Sequence, residues 1–480
     1  MISNNVFNGA SEMTLLKLKV ASTMIINRVT CATLLSVGIG LTGVSAASAQ
    51  VASKGLTPAA NTYRSYQNAS IVRDSGLSQP LDLLNDFYPA VAVTVSDHDN
   101  VRRRPDFQEE DLKITVDPSL AYRTNIGRHQ FYAAYNGTFT FHQDIEQEDA
   151  ESNGLFAKAG LDLSRRWDLD LFGGFGESFE ERGLSGGRDF FLFDADSLNA
   201  GPEELEYKSF GADLAYGRKL GVLKGVLGFE RVETTFDSDD QLLRQSARER
   251  DRESDSVHLD VDWQFGARTS LFGRVQYTET DYISILNTLD SEQTDYLIGL
   301  RWKPSSALSG VLGVGQSEKD FVDPNVEDYD SDTYYANLNY SLSAFSNIQL
   351  AASRQVEEPG DAQSSYYETD FVGVGWTHSL SPRWVVDVYS KWGDDDYNTG
   401  RKDNFTDWGI GVDYLWRSWL TAGLYYGEIE RESNLSDVDY QDAYFGLRLK
   451  SDLRSWFGGS KQREIEPASF DYPKKTGPSQ

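Results

Sequence analysis

SPRWVVDVYSKW, residues 381–392, presents two faces that do not belong together in a soluble protein. Trp384, Val386, Val388 and Trp392 fall at even positions, and Val385, Asp387, Tyr389 and Lys391 at odd ones. Successive side chains of a strand point to opposite sides, so one face is apolar between two tryptophans and the other carries an acid and a base. A soluble core has no place for the second face, because an unpaired buried charge costs several kcal/mol. Lipid on one side, water on the other and aromatic rings at both membrane interfaces account for the two faces together.

The same alternation recurs through the chain. Val257, Leu259, Val261, Trp263 and Phe265 oppose His258, Asp260, Asp262 and Gln264. Tyr334, Ala336, Leu338, Tyr340 and Leu342 oppose Tyr335, Asn337, Asn339 and Ser341. Between about residues 90 and 450 it marks roughly eighteen strands, at about 20 residues per strand including connections. The connections alternate in length. Short ones include SLSPR after His378 and LWRS after Tyr414, and long ones include residues 180–206, 236–255, 320–332 and 394–405, rich in Asp, Gly, Asn and Ser. A soluble sandwich also alternates apolar and polar residues but has no reason to sort its loops by length. A barrel inserted from the periplasm does, with short turns inside and long loops outside. The expected fold is all-β: a transmembrane antiparallel up-and-down β-barrel of about 18 strands over residues 89–450.

The flanks differ from this pattern. Lys17, Lys19 and Arg28 precede an apolar stretch, residues 30–46, and Ala47-Ser48-Ala49 forms a small-x-small cleavage site. Residues 1–49 therefore read as a signal peptide, and a single membrane anchor is the weaker alternative for so short and Gly-rich a run. Residues 50–88 read as a periplasmic lead-in and residues 451–480 as a mobile periplasmic tail. The sole cysteine, Cys31, falls in the leader, which leaves no disulfide or thiol chemistry in the mature chain. The formal charge of −29 argues against a nucleic-acid partner.

Ser96–His142 carries three features in order: Asp97, Asp99 and Asn100 closing one strand, Pro118 and Leu120 in the next, and a Gly127-Arg128 turn before a Tyr-rich strand. In these it resembles the opening of the putative beta-barrel porin type 2 family of Gram-negative outer-membrane proteins. The repeated apolar strand, SPR-like turn and apolar strand is similar to the rest of that family, over about residues 88–450. The resemblance implies a barrel in the cell outer membrane and passage of a glycan in exopolysaccharide export. It assigns no catalytic residue. One departure is the tail, since outer-membrane barrels usually end on an aromatic residue that assists assembly. Here Tyr444–Leu449 is the internal candidate for that signal, the alternative being a last strand that runs on to Trp456-Phe457.

Alternation points Asp162, Asp170, Asp213, Glu230, Asp260, Asp262, Asp295, Asp387 and Asp413 into the lumen, with Lys158, Arg274, Arg301, Lys391 and Arg448. Tyr132, Tyr335, Tyr389 and Tyr425 share that side. Rings that stack on sugars, beside carboxylates that accept from hydroxyls, suit a neutral or cationic glycan. For any one residue the simpler reading is the filling of a wet lumen.

Other motifs carry less. Gly183-Leu184-Ser185-Gly186-Gly187 matches G-x-S-x-G, but a nucleophile elbow needs a helix after it and none is expected here. Asp328, Asp330 and Asp332 look like the start of a calcium loop, yet Thr333 and Asn339 replace the Gly and Glu that an EF-hand needs. A solvated acidic loop is expected there and at Asp394–Asp396. Residues 245–254, QSARERDRES, are expected to form an exposed loop with a helical turn or two. No catalytic residue, metal site or cofactor is expected. The leading functional expectation is a conduit for exopolysaccharide export, working with a periplasmic polysaccharide-export protein. The expected surroundings are outer-membrane lipid and lipopolysaccharide, with insertion by the barrel-assembly machinery. A general diffusion porin and a surface structural or adhesion barrel are the alternatives.

Overall fold

A computed structural model describes residues 86–105, 108–179, 201–217, 221–238, 241–266, 268–284, 287–360, 364–417, 419–435 and 438–453. The leader, nearly all of the lead-in, the G-x-S-x-G segment and most of the tail lie outside these residues. The first strands are β1 (Asp86–His98), β2 (Asp111–Ile126), β3 (His129–His142), β4 (Ala150–Asp162), β5 (Trp167–Phe179) and β6 (Glu204–Gly217). Then come β7 (Leu223–Asp237), β8 (Arg252–Gly266), β9 (Thr269–Tyr282), β10 (Ser291–Trp302), β11 (Leu308–Phe321) and β12 (Tyr329–Ser343). The last are β13 (Ser346–Glu357), β14 (Tyr367–Ser381), β15 (Trp384–Tyr397), β16 (Lys402–Arg417), β17 (Leu420–Ser433) and β18 (Tyr440–Asp452).

All 18 strands form one antiparallel sheet in chain order. It closes where β1 meets β18, from Ala90 opposite Asp452 to His98 opposite Tyr444. Closure leaves no sheet edge in lipid, where unpaired backbone groups could find no partner. Short turns join the strands at one end. In the β2–β3 turn Gly127 adopts φ 64°, a left-handed conformation that costs glycine nothing. At the β14–β15 turn the Ser381 hydroxyl accepts from the backbone N–H groups of Arg383 and Trp384, both at 3.2 Å. Register shifts sit at this same end of β8, β12, β14 and β16. A bulge there bends each strand into its turn.

The outer face is the exposed apolar one. Leu171, Phe210, Leu227, Leu259, Ile298, Val314, Leu350, Val372, Ile410, Leu424 and Leu447 all project from it, on strands all round the wall. Trp167, Trp263, Trp384 and Trp416 lie near its short-turn end. Above the apolar band the outer face turns polar while the strands continue. Arg354 holds Asp370 through two bonds of 2.8 and 2.6 Å, Lys402 reaches Asp396 at 2.6 Å, and Lys208 reaches Glu206 at 2.8 Å.

Three expected loops are corrected by this extension. Asp330 and Asp332 belong to β12, and Asp328 instead caps the preceding turn by accepting from the Phe321 N–H at 2.9 Å. Asp394–Asp396 are the end of β15. The mixed-charge run holds one short helix, α1 (Gln241–Arg248), and then enters β8 at Arg252. Ala247 of α1 packs on Leu205 and Phe236, a small apolar cluster roofing this side of the mouth.

Candidate functional site

The strand register that turns the apolar residues outward turns the opposite set inward. Asp162, Asp170, Asp213, Glu230, Asp260, Asp262, Asp295, Asp387 and Asp413 stand on the inner face, as do Lys158, Arg274, Arg301, Lys391 and Arg448. Tyr132, Tyr335, Tyr389 and Tyr425 share it.

The structure joins most of these charges in pairs. Lys158 lies 3.3 Å from Asp170, and Arg274 grips Asp260 through Nε at 2.5 Å and a second bond at 2.8 Å. Arg301 binds Asp262 and lies over the ring of Phe272, 4.2 Å from its centre. Arg448 donates to both oxygens of Asp413, at 3.0 and 3.1 Å, and lies 3.9 Å from Asp387. Lys391 donates to Asp407 at 2.6 Å, with both residues almost wholly buried. Such fork-like and charge-assisted contacts hold side chains against the wall and set where charge faces the water.

Aromatic rings line the wall where glycine makes room. A Cβ on Gly427 or Gly446 would lie 2.5 Å from the ring of Tyr444 or Tyr425. The hydroxyls of Tyr389 and Tyr444 meet at 3.0 Å, and Tyr444 stacks on His98. His98 in turn links Ser96 (3.0 Å) to Asp442 (3.0 Å). This Ser–His–Asp chain resembles a hydrolytic relay in outline. Ser96 is only 5% exposed, however, and the chain ties β1 to β18, so its evident work is to latch the closing seam. Histidines 142, 258 and 378 are not brought together: the first lies 3.5 Å from Asp149, the second 3.4 Å from Asp213, and the third stacks on Trp376. Among the described residues no group of three or more His, Cys, Asp or Glu side chains is arranged to hold a metal ion.

A cavity of ≈ 370 Å³ opens on the inner wall between β4 and β13. Phe156, Phe172 and Phe272 line it with Asp213, Glu230 and Asp295. Its outer end is roofed by Glu357 and Glu358. Glu358 begins the β13–β14 connection and lies along the inner wall, binding Lys319 of β11 and accepting from the Tyr282 hydroxyl of β9 at 2.8 Å. Burial works to raise the Glu358 pKa, but Lys319 and Arg252 outweigh it and hold the carboxyl below its ordinary value. Tyr366, at the far end of the connection, stacks on Phe321 and meets Tyr329 edge-on. The described ends of this connection, at Glu358 and Tyr366, are both tied to the inner wall at the mouth.

The pattern reading missed the charges nearest that mouth. Asp403 sits between Arg401 and Arg431, and Lys319, Asp395, Asp407 and Asp442 are buried on the inner face. Lys319, Asp407 and Asp442 share the inner parity within the expected strands, and Asp395 and Asp403 share it in the stretch 394–405 expected as loop, which the strands in fact enter.

The family model Putative beta-barrel porin 2 matches residues 87–452. Among curated proteins none matches the chain. Similar solved structures include OpdK of Pseudomonas aeruginosa with vanillate, at 12% identity over 76% of this chain and 99% of that one, with a TM-score of 0.44. OccK2 (OpdF) of the same organism is 12% identical over 77% and 98%, with a TM-score of 0.43. OccAB4 of Acinetobacter baumannii is 13% identical over 78% and 100%, with a TM-score of 0.41.

Proposed function

This chain belongs to the Putative beta-barrel porin 2 family and is an outer-membrane β-barrel of the porin-like channel type; from that premise we propose that it is a passive conduit for saccharide, serving exopolysaccharide export. The observation that carries this reading is the inner wall itself. Phenylalanine and tyrosine rings share it with carboxylates, which supplies stacking faces and hydrogen-bond acceptors. Pyranose rings present C–H faces and hydroxyls that match both.

The driving force comes from synthesis or from machinery in the inner membrane, because a barrel that only lines a path conducts in either direction. A periplasmic polysaccharide-export protein is the proposed partner at the short-turn end. Outer-membrane lipid and lipopolysaccharide surround the apolar band. The barrel-assembly machinery is proposed to read β18, since the chain runs on beyond it. Asp162, Asp170, Asp213, Glu230, Asp260, Asp262, Asp295, Asp387 and Asp413 are proposed to line the substrate path together with the five inward bases.

The test is deletion of the chain in a cell that carries its own polysaccharide synthesis. Export predicts loss of surface polymer with polymer retained in the periplasm, and normal surface polymer refutes it. The size of the cavity favours a second reading, a diffusion porin for small solutes, since ≈ 370 Å³ sits at the small end of ligand-pocket volumes. Liposome swelling in a series of neutral sugars separates the two. A sharp cut-off at a monosaccharide with unaltered surface polymer supports the porin.

A further inference from the structure

We propose that the lumen cavity binds the protonated amine of an amino sugar, with Glu230 as the receiving carboxylate. This deepens the reading of the barrel as a saccharide conduit and rests on it. Glu230 stands halfway along β7, opposite Gly211 of β6 and Ser256 of β8. It is only 9% exposed, it lines the cavity, and its Oε1 meets no hydrogen-bond partner. Neighbouring charges on the same wall form pairs, Lys158 with Asp170, Arg274 with Asp260 and Arg301 with Asp262, and His258 stands 3.4 Å from Asp213. Asp295 across the cavity takes its bonds from neutral groups, the Gln293 amide at 3.1 Å and the Ser317 hydroxyl. Burial disfavours an unpaired charge on this carboxyl, and an arriving amine supplies the counter-ion with which it can ionise.

The walls narrow the kind of cation. Phe172 lies over Gly211 beside Glu230, and Phe156 and Phe272 complete an apolar side. One face of Phe272 already carries the Arg301 guanidinium, so the carboxyl of Glu230 and not this ring receives the ligand's charge. A bare divalent ion asks for six or more oxygens, and among the described residues no group of acids gathers three. An organic cation with an apolar face fits both features. In a hexosamine the ring C–H face meets the phenylalanines, the ammonium meets Glu230, and the hydroxyls meet Asp295.

Calorimetric titration of the full-length barrel in detergent tests this, with glucosamine, N-acetylglucosamine, glucose and lysine as probes. Glucosamine is expected to bind at least about tenfold tighter than either neutral sugar, a margin of ~1.4 kcal/mol. Glu230→Gln should erase the margin, and Asp295→Asn should reduce it in part. Equal binding of glucosamine and N-acetylglucosamine by the unmodified protein overturns the proposal without any variant. So does a margin that survives Glu230→Gln in a barrel of normal heat-modifiable mobility. Lysine binding as tightly as glucosamine overturns the assignment to a sugar. Neutral sugars that bind without any amine margin leave the conduit standing and remove this site. An amine margin in a barrel through which no sugar passes does the reverse.

Discussion

Arginine at Val388 should destabilise the folded barrel by about 2–4 kcal/mol. Val388 lies on the outer face of β15, between Trp376 of β14 and Ile410 of β16, both of which point to lipid. Four residues before it stands Trp384, 45% exposed, and four after it Trp392, 47% exposed. At about 3.4 Å per residue the two tryptophans are roughly 27 Å apart along the strand. A strand tilt of about 40° reduces that to about 20 Å along the membrane normal, close to the ~25 Å apolar band of such barrels. Val388 therefore sits near the midplane, where the cost of a cation is greatest. In equilibrium terms the loss is about 30- to 700-fold. Asp387, one residue away, faces the lumen and is 28% exposed, with Arg448 at 3.9 Å. Arg448 keeps its closer partner Asp413, so Asp387→Asn should cost less than about 1 kcal/mol. Reversible urea unfolding from lipid vesicles, followed by tryptophan fluorescence, measures both. Equal costs, or a larger cost at Asp387, would refute the reasoning, because a one-residue slip exchanges the faces.

Three further outcomes follow from the same geometry. With Cys31 replaced by serine, Asn325→Cys in the β11–β12 loop should react with an impermeant thiol reagent on intact cells, and Arg383→Cys in the β14–β15 turn should not; the opposite pattern inverts the topology. Lys391→Met should cost roughly 3–5 kcal/mol because it leaves Asp407 buried and unpaired, and adding Asp407→Leu should restore most of it; additive losses would show that the two do not act as a pair. The depressed Glu358 pKa means that its stabilisation is present above the ordinary carboxylate value of 4.5 and is lost as pH falls through the lower folded value. Unfolding midpoints from about pH 7 down to about pH 3 should fall more for the parent than for Glu358→Gln, and parallel pH profiles would rule Glu358 out as a pH-linked contact.

The alternation of period two made the barrel legible because lipid and water face each other across a single chain thickness. Trp263 and Asp262 cannot exchange places, so the two faces and the strand count could be read from parity. Strand ends could not. Above the lipid both faces are wet, alternation fades, and yet the backbone still pairs because each N–H and C=O needs a partner. For that reason Asp394, Asp395 and Asp396 looked like loop while they extend β15, and Asp330 and Asp332 looked like loop while they open β12. The ion pairs were illegible for a different reason. Glu358 meets Lys319 and Tyr282 from strands that are distant in sequence, and only the curvature of the wall brings them together. The latch of Ser96, His98 and Asp442 depends in the same way on closure between the first strand and the last.

A water-filled path whose wall carries an excess of negative charge should conduct ions. Reversal potentials of the purified barrel in planar bilayers under a salt gradient test it most directly. Discrete conductance steps that favour cations are expected. The preference should shrink as salt approaches about 1 M, where the Debye length falls to about 3 Å, and it should weaken when Asp260, Asp262 and Asp295 become Asn. Anion selectivity in the unmodified protein would contradict the assigned inner face. A well-folded barrel that stays silent even with Glu358→Gln would contradict the path itself.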